Sequence, residues 1–135
     1  MQNKTHLKIM TPNGIFYDKD IAIVTVKTSE GNIGLQHGKS PFIASLEISE
    51  LTIRSEWGSK IEECAIDGGL VYVTPSDVQI ITDSIEYKEN IELYRAEQAK
   101  KNAELALKTK LEASEELKQR IALKKAINRI SVKKS

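Results

Sequence analysis

An antiparallel β-sandwich followed by a two-helix antiparallel hairpin, an α+β chain, is the fold this sequence predicts. Three observations carry it. All seven glycines and all three prolines lie at or before Pro75. In that first part, short β-branched runs recur about every 8 to 12 residues with turn signals between them, which points to a sandwich or barrel. Residues 90–132 then contain no glycine or proline and are rich in Ala, Leu, Glu and Lys, the strongest helix formers.

The strands follow in order. Residues 6–10 read as extended, closed by the turn Pro12-Asn13-Gly14. Residues 20–28 carry Ile21, Ile23, Val24 and Val26 and read as one buried strand. Ser29 to Asn32 turns the chain, residues 33–35 form a short run, and residues 38–41 make an exposed loop before the apolar run 42–46. Leu51, Ile53 and Trp57 alternate with Thr52, Arg54 and Glu56, as in a half-buried strand. Gly58-Ser59 fits a two-residue hairpin turn with glycine first, returning through residues 60–66. Asp67-Gly68-Gly69 turns again, and residues 70–73 and 78–81 form strands joined across Thr74-Pro75-Ser76-Asp77. The expected division is residues 1–86 for the sandwich and 87–135 for the helices, with Asn90 as helix N-cap.

Two arrangements fit the helical part. One continuous helix would be roughly 65 Å long; folded in half it makes a hairpin of roughly 30 Å. Leu93, Ala96, Ala99, Ala103 and Ala106 share one face at spacings of three and four, and a small-residue face favours the hairpin. Leu117, Ile121, Leu123, Ile127 and Ile130 offer bulky partners. The hinge is expected near residues 108–114, where Thr109 with Glu112, or Ser114 with Glu115 and Glu116, can start a second helix. No residue forces it.

Charge divides the chain in the same way. Residues 1–86 hold 7 Lys/Arg against 12 Asp/Glu, a balance of −5, and residues 87–135 hold 13 against 7, a balance of +6. The basic tail reads either as a solvated helix surface or as a contact for an acidic partner. Cys64 is alone, so no intrachain disulfide is expected, in keeping with a reducing compartment. No signal peptide and no membrane-spanning segment is expected.

Catalytic constellations are scarce. His6 and His37 are the two histidines, too few for a histidine-built metal site, and no metal is expected. Gly31, Gly34 and Gly38 match neither a dinucleotide fingerprint nor a phosphate loop. Glu62 and Glu63 occupy neighbouring strand positions and face opposite ways. The tail lacks the interleaved aromatics of a nucleic-acid surface. One constellation stands out. Glu92 and Arg95 are three apart on the first helix, Glu86 precedes it, and Lys124, Lys125 and Arg129 lie near the end of the second. In a hairpin these groups meet, either as ordinary ion pairs or as an anion site for phosphates.

Thr11-Pro12-x-Gly14-x-x-Tyr17-Asp18-x-Asp20-Ile21, Gly31-x-Ile33-Gly34-Leu35-x-x-Gly38-x-x-Pro41, Gly68-Gly69-Leu70-x-x-Val73 and Val78-x-Ile80 form an ordered series. Ile91-Glu92-x-x-Arg95-Ala96 and the run from Ala122 to Val132 continue it. In order, spacing and coverage the chain resembles the epsilon subunits of bacterial rotary, proton-translocating ATP synthases along nearly its whole length. The resemblance implies a ten-stranded sandwich with a helical hairpin. It implies a non-catalytic rotor subunit that couples proton flow to ATP synthesis, bound to the gamma subunit and the c-subunit ring. It also implies helices that restrain ATP hydrolysis when extended, their basic Lys124, Lys125 and Arg129 facing an acidic segment of the beta subunit. The implied location is peripheral, on the cytoplasmic face of the bacterial cell membrane.

Some members of that family bind ATP as a regulatory ligand through Ile/Leu-Asp-x-x-Arg-Ala. Here Glu92 stands at the aspartate, Arg95 and Ala96 match, and Glu86 and Arg129 match further positions. Lys125 replaces an arginine and Asn102 a basic residue, and lysine lacks the bidentate phosphate contact of arginine, so the implied ATP site is a weakened one. The implied c-ring contact carries Asn32, His37 and Lys39 where the family commonly has an acidic residue, a proline and a histidine. Three rivals remain: a free-standing ATP-sensing module that joins no rotor, a small sandwich enzyme and a nucleic-acid binder. Co-purification with gamma separates the first, and salt-dependent duplex binding would reveal the last.

Overall fold

The computed structural model describes residues 3–135. The described chain separates into two compact units, one ending at Tyr87 and the other spanning Lys88–Ser135.

The first unit holds eight strands among the described residues: β1 Thr5–Thr11, β2 Gly14–Ile21, β3 Ile23–Thr28, β4 Gly31–Leu35, β5 Phe42–Arg54, β6 Glu62–Val73, β7 Asp77–Ile81 and β8 Ile85–Tyr87. They form one hydrogen-bonded sheet in the order β2-β1-β7-β6-β5-β3-β4, with β8 on β6. All pairs are antiparallel except β1 with β7.

The sheet becomes a sandwich because β5 and β6 change face midway. Side chains alternate along a strand, so a buried set should keep one parity. In β5 Leu46 is buried, and then Ser49, Leu51 and Ile53 are. In β6 Cys64 and Ile66 are buried, and then Val71 and Val73. The two switches lie opposite each other, with Leu46 paired to Gly69 and Ile48 to Asp67. Gly68 and Gly69 supply the backbone for the bend, with φ of 85° and 135°. Thr82 secures it by donating its hydroxyl to Gly68 O at 2.6 Å. One layer is then β2, β1, β7 and the adjoining halves of β6 and β5; the other holds the remaining halves with β3, β4 and β8. Counting the halves of β5 and β6 separately gives the ten segments that the resemblance implies. One apolar core, including Leu7, Ile9, Val24, Leu51, Val71 and Ile80, fills the space between.

Local readings are corrected in several places, among them the runs 42–46 and 51–57, whose strand residues belong to the one strand β5, and Asp67-Gly68-Gly69, which bends the continuous β6 instead of separating two strands. The run 20–28 is two strands, broken at Ala22, whose N–H donates to Arg54 O at 3.0 Å. β2 runs through residues 15–19, to which no element was assigned, and takes Asp20 and Ile21 from the run read as one strand. The turn at Gly58 belongs to a longer connection between β5 and β6, in which Ser59 N donates to Glu56 O at 3.1 Å. Trp57 sits in that connection, 43% exposed, and not on the strand's buried side.

The second unit is a 3-10 turn, Lys88–Asn90, followed by α1, Leu93–Leu107, and α2, Ala113–Lys134. Glu92, not Asn90, holds the N-cap position of α1, with no side-chain capping bond. Lys133 Nζ donates to the carbonyls of Lys88 at 3.1 Å and Glu89 at 3.4 Å, so the end of α2 returns to the start of the unit. The seam is built from small residues on both sides. Ala96 and Ala103 are buried on α1, and Ala126 and Val132 on α2. Ala99 is exposed, and so are Leu117, Ile121 and Ile127, expected as bulky partners. Small residues in the seam let the helices approach closely, and Leu117, Ile121 and Ile127 lie outside it.

Candidate functional site

The hairpin gathers most of the anion-site candidates. From the Lys133 contact, a rise of about 1.5 Å per residue on antiparallel helices sets Arg129 level with Glu92 and Lys125 level with Ala96. Lys125, Arg129 and Lys133 recur every four residues and form one basic stripe. Glu92 and Arg95 are exposed in the first turn of α1, while Ala96 lies in the seam. Lys124 is exposed, about 100° around α2 from Lys125, so it faces a different direction from the stripe. Glu86 belongs to the other unit, half-buried on β8 opposite Ala65. Asn102 is exposed on α1.

Asn32, His37 and Lys39 do not form one loop. Asn32 is exposed near the start of β4, opposite Lys27, whereas His37 and Lys39 follow its far end, roughly 10 Å along the strand. Gly38 ties their loop to the β6–β7 turn through its N–H to Pro75 O at 2.8 Å.

Two features escaped the reading from residue order. The first is an exposed apolar field on the outer face of one layer. Ile15, Met10, Ile81 and Leu70 stand opposite one another in register across β2, β1, β7 and β6, and Tyr72 faces Ile43 across the next row. Ile43 is 65% exposed, Ile15 58% and Ile81 45%. The second lies on the same face. His6 bridges two carboxylates of β2, its Nδ1 at 2.7 Å from Asp20 and its Nε2 at 2.5 Å from Asp18. Both needed strand pairing to be seen. Among the described residues no group of three His, Cys, Asp or Glu side chains is placed to hold a metal ion. Among the described residues no helix is long and apolar enough to cross a membrane.

A β-sandwich followed by a helical hairpin, with an exposed apolar field on the sandwich and a basic stripe on α2, defines the class of protein. Residues 4–88 match the family described as ATP synthase, Delta/Epsilon chain, beta-sandwich domain. The chain is 42% identical over 133 residues to the ATP synthase epsilon chain of Mycoplasma mobile, covering 98% of this chain and 94% of that one. It is 41% identical to the epsilon chain of Mycoplasmopsis pulmonis, over 93% and 90% of the two chains. Among solved structures, it resembles a chain of the Euglena gracilis mitochondrial ATP synthase with a TM-score of 0.80 at 22% identity, covering 95% of this chain and 80% of that one. A chain from the central stalk and c-ring of the Tetrahymena thermophila enzyme gives 0.70 at 17% identity, with 98% of each covered. The chain belongs to the epsilon-chain family of ATP synthase subunits.

Proposed function

We propose that this chain is a non-catalytic rotor subunit of the ATP synthase central stalk, joining the gamma subunit to the c-subunit ring on the cytoplasmic face of the membrane. The apolar field of Ile15, Leu70, Tyr72, Ile81 and Ile43 carries the reading. Contiguous exposed apolar surface of this kind is a mark of a protein interface. Gamma, the partner that the resemblance implies, is its proposed occupant. The end of the sandwich bearing His37 and Lys39, with Asn32 at the other end of β4, is the surface we assign to the c-ring. The helices carry the basic balance of the chain to an acidic surface of the beta subunit, through Lys124, Lys125 and Arg129, and restrain ATP hydrolysis there.

ATP is proposed as a regulatory ligand of the helical unit, with Arg95, Lys125 and Arg129 for its phosphates and Glu92 for its ribose or base. A ligand gripping both helices favours the hairpin over an extended form by its difference in affinity for the two. Calorimetric titration tests the site: heat at millimolar ATP that Arg129→Ala abolishes is expected, and no heat would remove the proposal. The docking reading is tested by co-purification. The intact chain should retain gamma, and Ile81→Asp, a charge in the centre of the field, should release it. Retention by that variant would move the interface elsewhere.

A further inference from the structure

We infer that His6, clasped between Asp18 and Asp20, is a proton-dependent fastener of the edge strand β2, and that docking on the adjoining apolar field follows its protonation. The second half of this inference rests on the gamma-docking reading; the first does not.

Both ring nitrogens contact a carboxylate oxygen. An ionised carboxylate only accepts hydrogen bonds, and a neutral imidazole has a single N–H to donate. The two contacts together therefore require the imidazolium, which makes both bonds charge-assisted. The hydrogen bond to Asp20, then that to Asp18, raise His6 above its ordinary 6.5, against a smaller opposing effect of burial.

The other charges around His6 do not replace it. Just before β1, Lys4 is engaged by Glu56, and on β1 Lys8 stands opposite Asp18 in register. On β7, Asp77 stands opposite His6 and accepts the Ser76 hydroxyl at 2.9 Å. On β2, Lys19 reaches over the Tyr17 ring, 5.5 Å from its centroid. With His6 charged, Asp18, Asp20 and Asp77 face two cations, His6 and Lys8. On deprotonation only Lys8 remains.

β2 is the strand most exposed to this loss. It is a sheet edge with β1 as its one ladder partner, and a register shift between Ile9 and Met10 interrupts that ladder near the turn. The clasp holds the other end. Ile15 rides on β2 into the apolar field, so a loosened β2 withdraws part of the docking surface. The sign follows from linkage. A group whose native pKa lies above its unfolded value contributes stability below 6.5 and loses it as pH rises through the native value.

The test uses the full chain. NMR titration from about pH 5.5 to 9 follows the His6 ring, identified by its loss in His6→Gln, together with hydrogen exchange of β2 amides corrected for intrinsic base catalysis. The expected midpoint lies above 6.5 and falls toward it in Asp18→Asn/Asp20→Asn. Protection of β2 should step down across that midpoint, and His6→Gln should show no step. A midpoint at or below 6.5, or a step that survives in His6→Gln, overturns the fastener. Gamma affinity should fall by a factor of a few across the same midpoint in the parent chain alone. Affinity that is flat with pH overturns the coupling, whereas absence of binding at every pH overturns the docking reading and leaves the fastener standing.

Discussion

Thr5 is fully buried, and its hydroxyl has no hydrogen-bond partner among the described residues. A buried hydroxyl left unpaired carries its desolvation cost with nothing in return, about 1–3 kcal/mol in mutational series. Valine has the same shape and no such group. Thr5→Val should therefore stabilise the chain by about 1 kcal/mol, read as a rise in the urea midpoint with an unchanged slope. Gly69 makes the opposite case. Its φ is 135°, and a Cβ there would lie 2.2 Å from the carbonyl oxygen of Ile81. The obstacle is backbone, which cannot swing away as a side chain would. Gly69→Ala should cost about 2–4 kcal/mol, combining strain at positive φ with displacement of β7. An unfolding midpoint equal to that of the parent would show that the β6 bend tolerates a side chain.

At the scale of elements, the helical seam yields the next prediction. Ala96, Ala103 and Ala126 are each 5% exposed or less, so neither helix has room for a larger group there. Ala103→Leu should overpack the seam by about 1–3 kcal/mol, weakening amide protection along α1 and α2 while leaving the sandwich amides unchanged. The seam also shows what residue order can carry. Alanines at spacings of three and four announced a close-packed hairpin, but the same spacing admitted Ala99, which lies outside. It also suggested bulky partners on α2, where Ala126 and Val132 sit instead. Helical periodicity fixes a face only to within about a residue's width, and packing chooses inside it. The strands repeat the lesson. β1 was legible because Leu7 and Ile9 alternate cleanly with His6, Lys8 and Met10. β2 was not, because an edge strand carries charges, here Asp18, Lys19 and Asp20, and lacks the apolar alternation that marks a strand. With β2 unseen, its register with β1 was unseen too, and so was the clasp on His6. Glu92 with Arg95, and Lys125 with Arg129, were readable as neighbours from order because each pair lies about one turn apart at the same helix. The apolar field was not, because it spans strands far apart in the chain.

At the scale of the whole molecule, two units with opposite charge balances are proposed to carry separable tasks, and their separation can be tested. Every residue of the apolar core lies at or before Ile85, and the hydrophobics packed against it end at Tyr87. Removing residues 88–135 thus leaves that core complete. The fragment 1–87 should unfold in one cooperative transition in urea, the behaviour expected of a small single domain. It should also retain gamma, because the apolar field lies wholly on β1, β2, β5, β6 and β7. What it loses is the balance of +6 contributed by 13 Lys/Arg against 7 Asp/Glu in residues 87–135, less nothing but the neutral Tyr87. If those charges meet an acidic surface of the catalytic subunits, a complex reassembled with the fragment should hydrolyse ATP faster than one reassembled with the full chain. The difference should shrink as salt is raised, since screening shortens the reach of exposed charges to about 8 Å at physiological ionic strength. Equal hydrolysis rates, with the fragment bound and folded, would leave the helices without a restraining role and would confine the chain's contribution to joining the rotor.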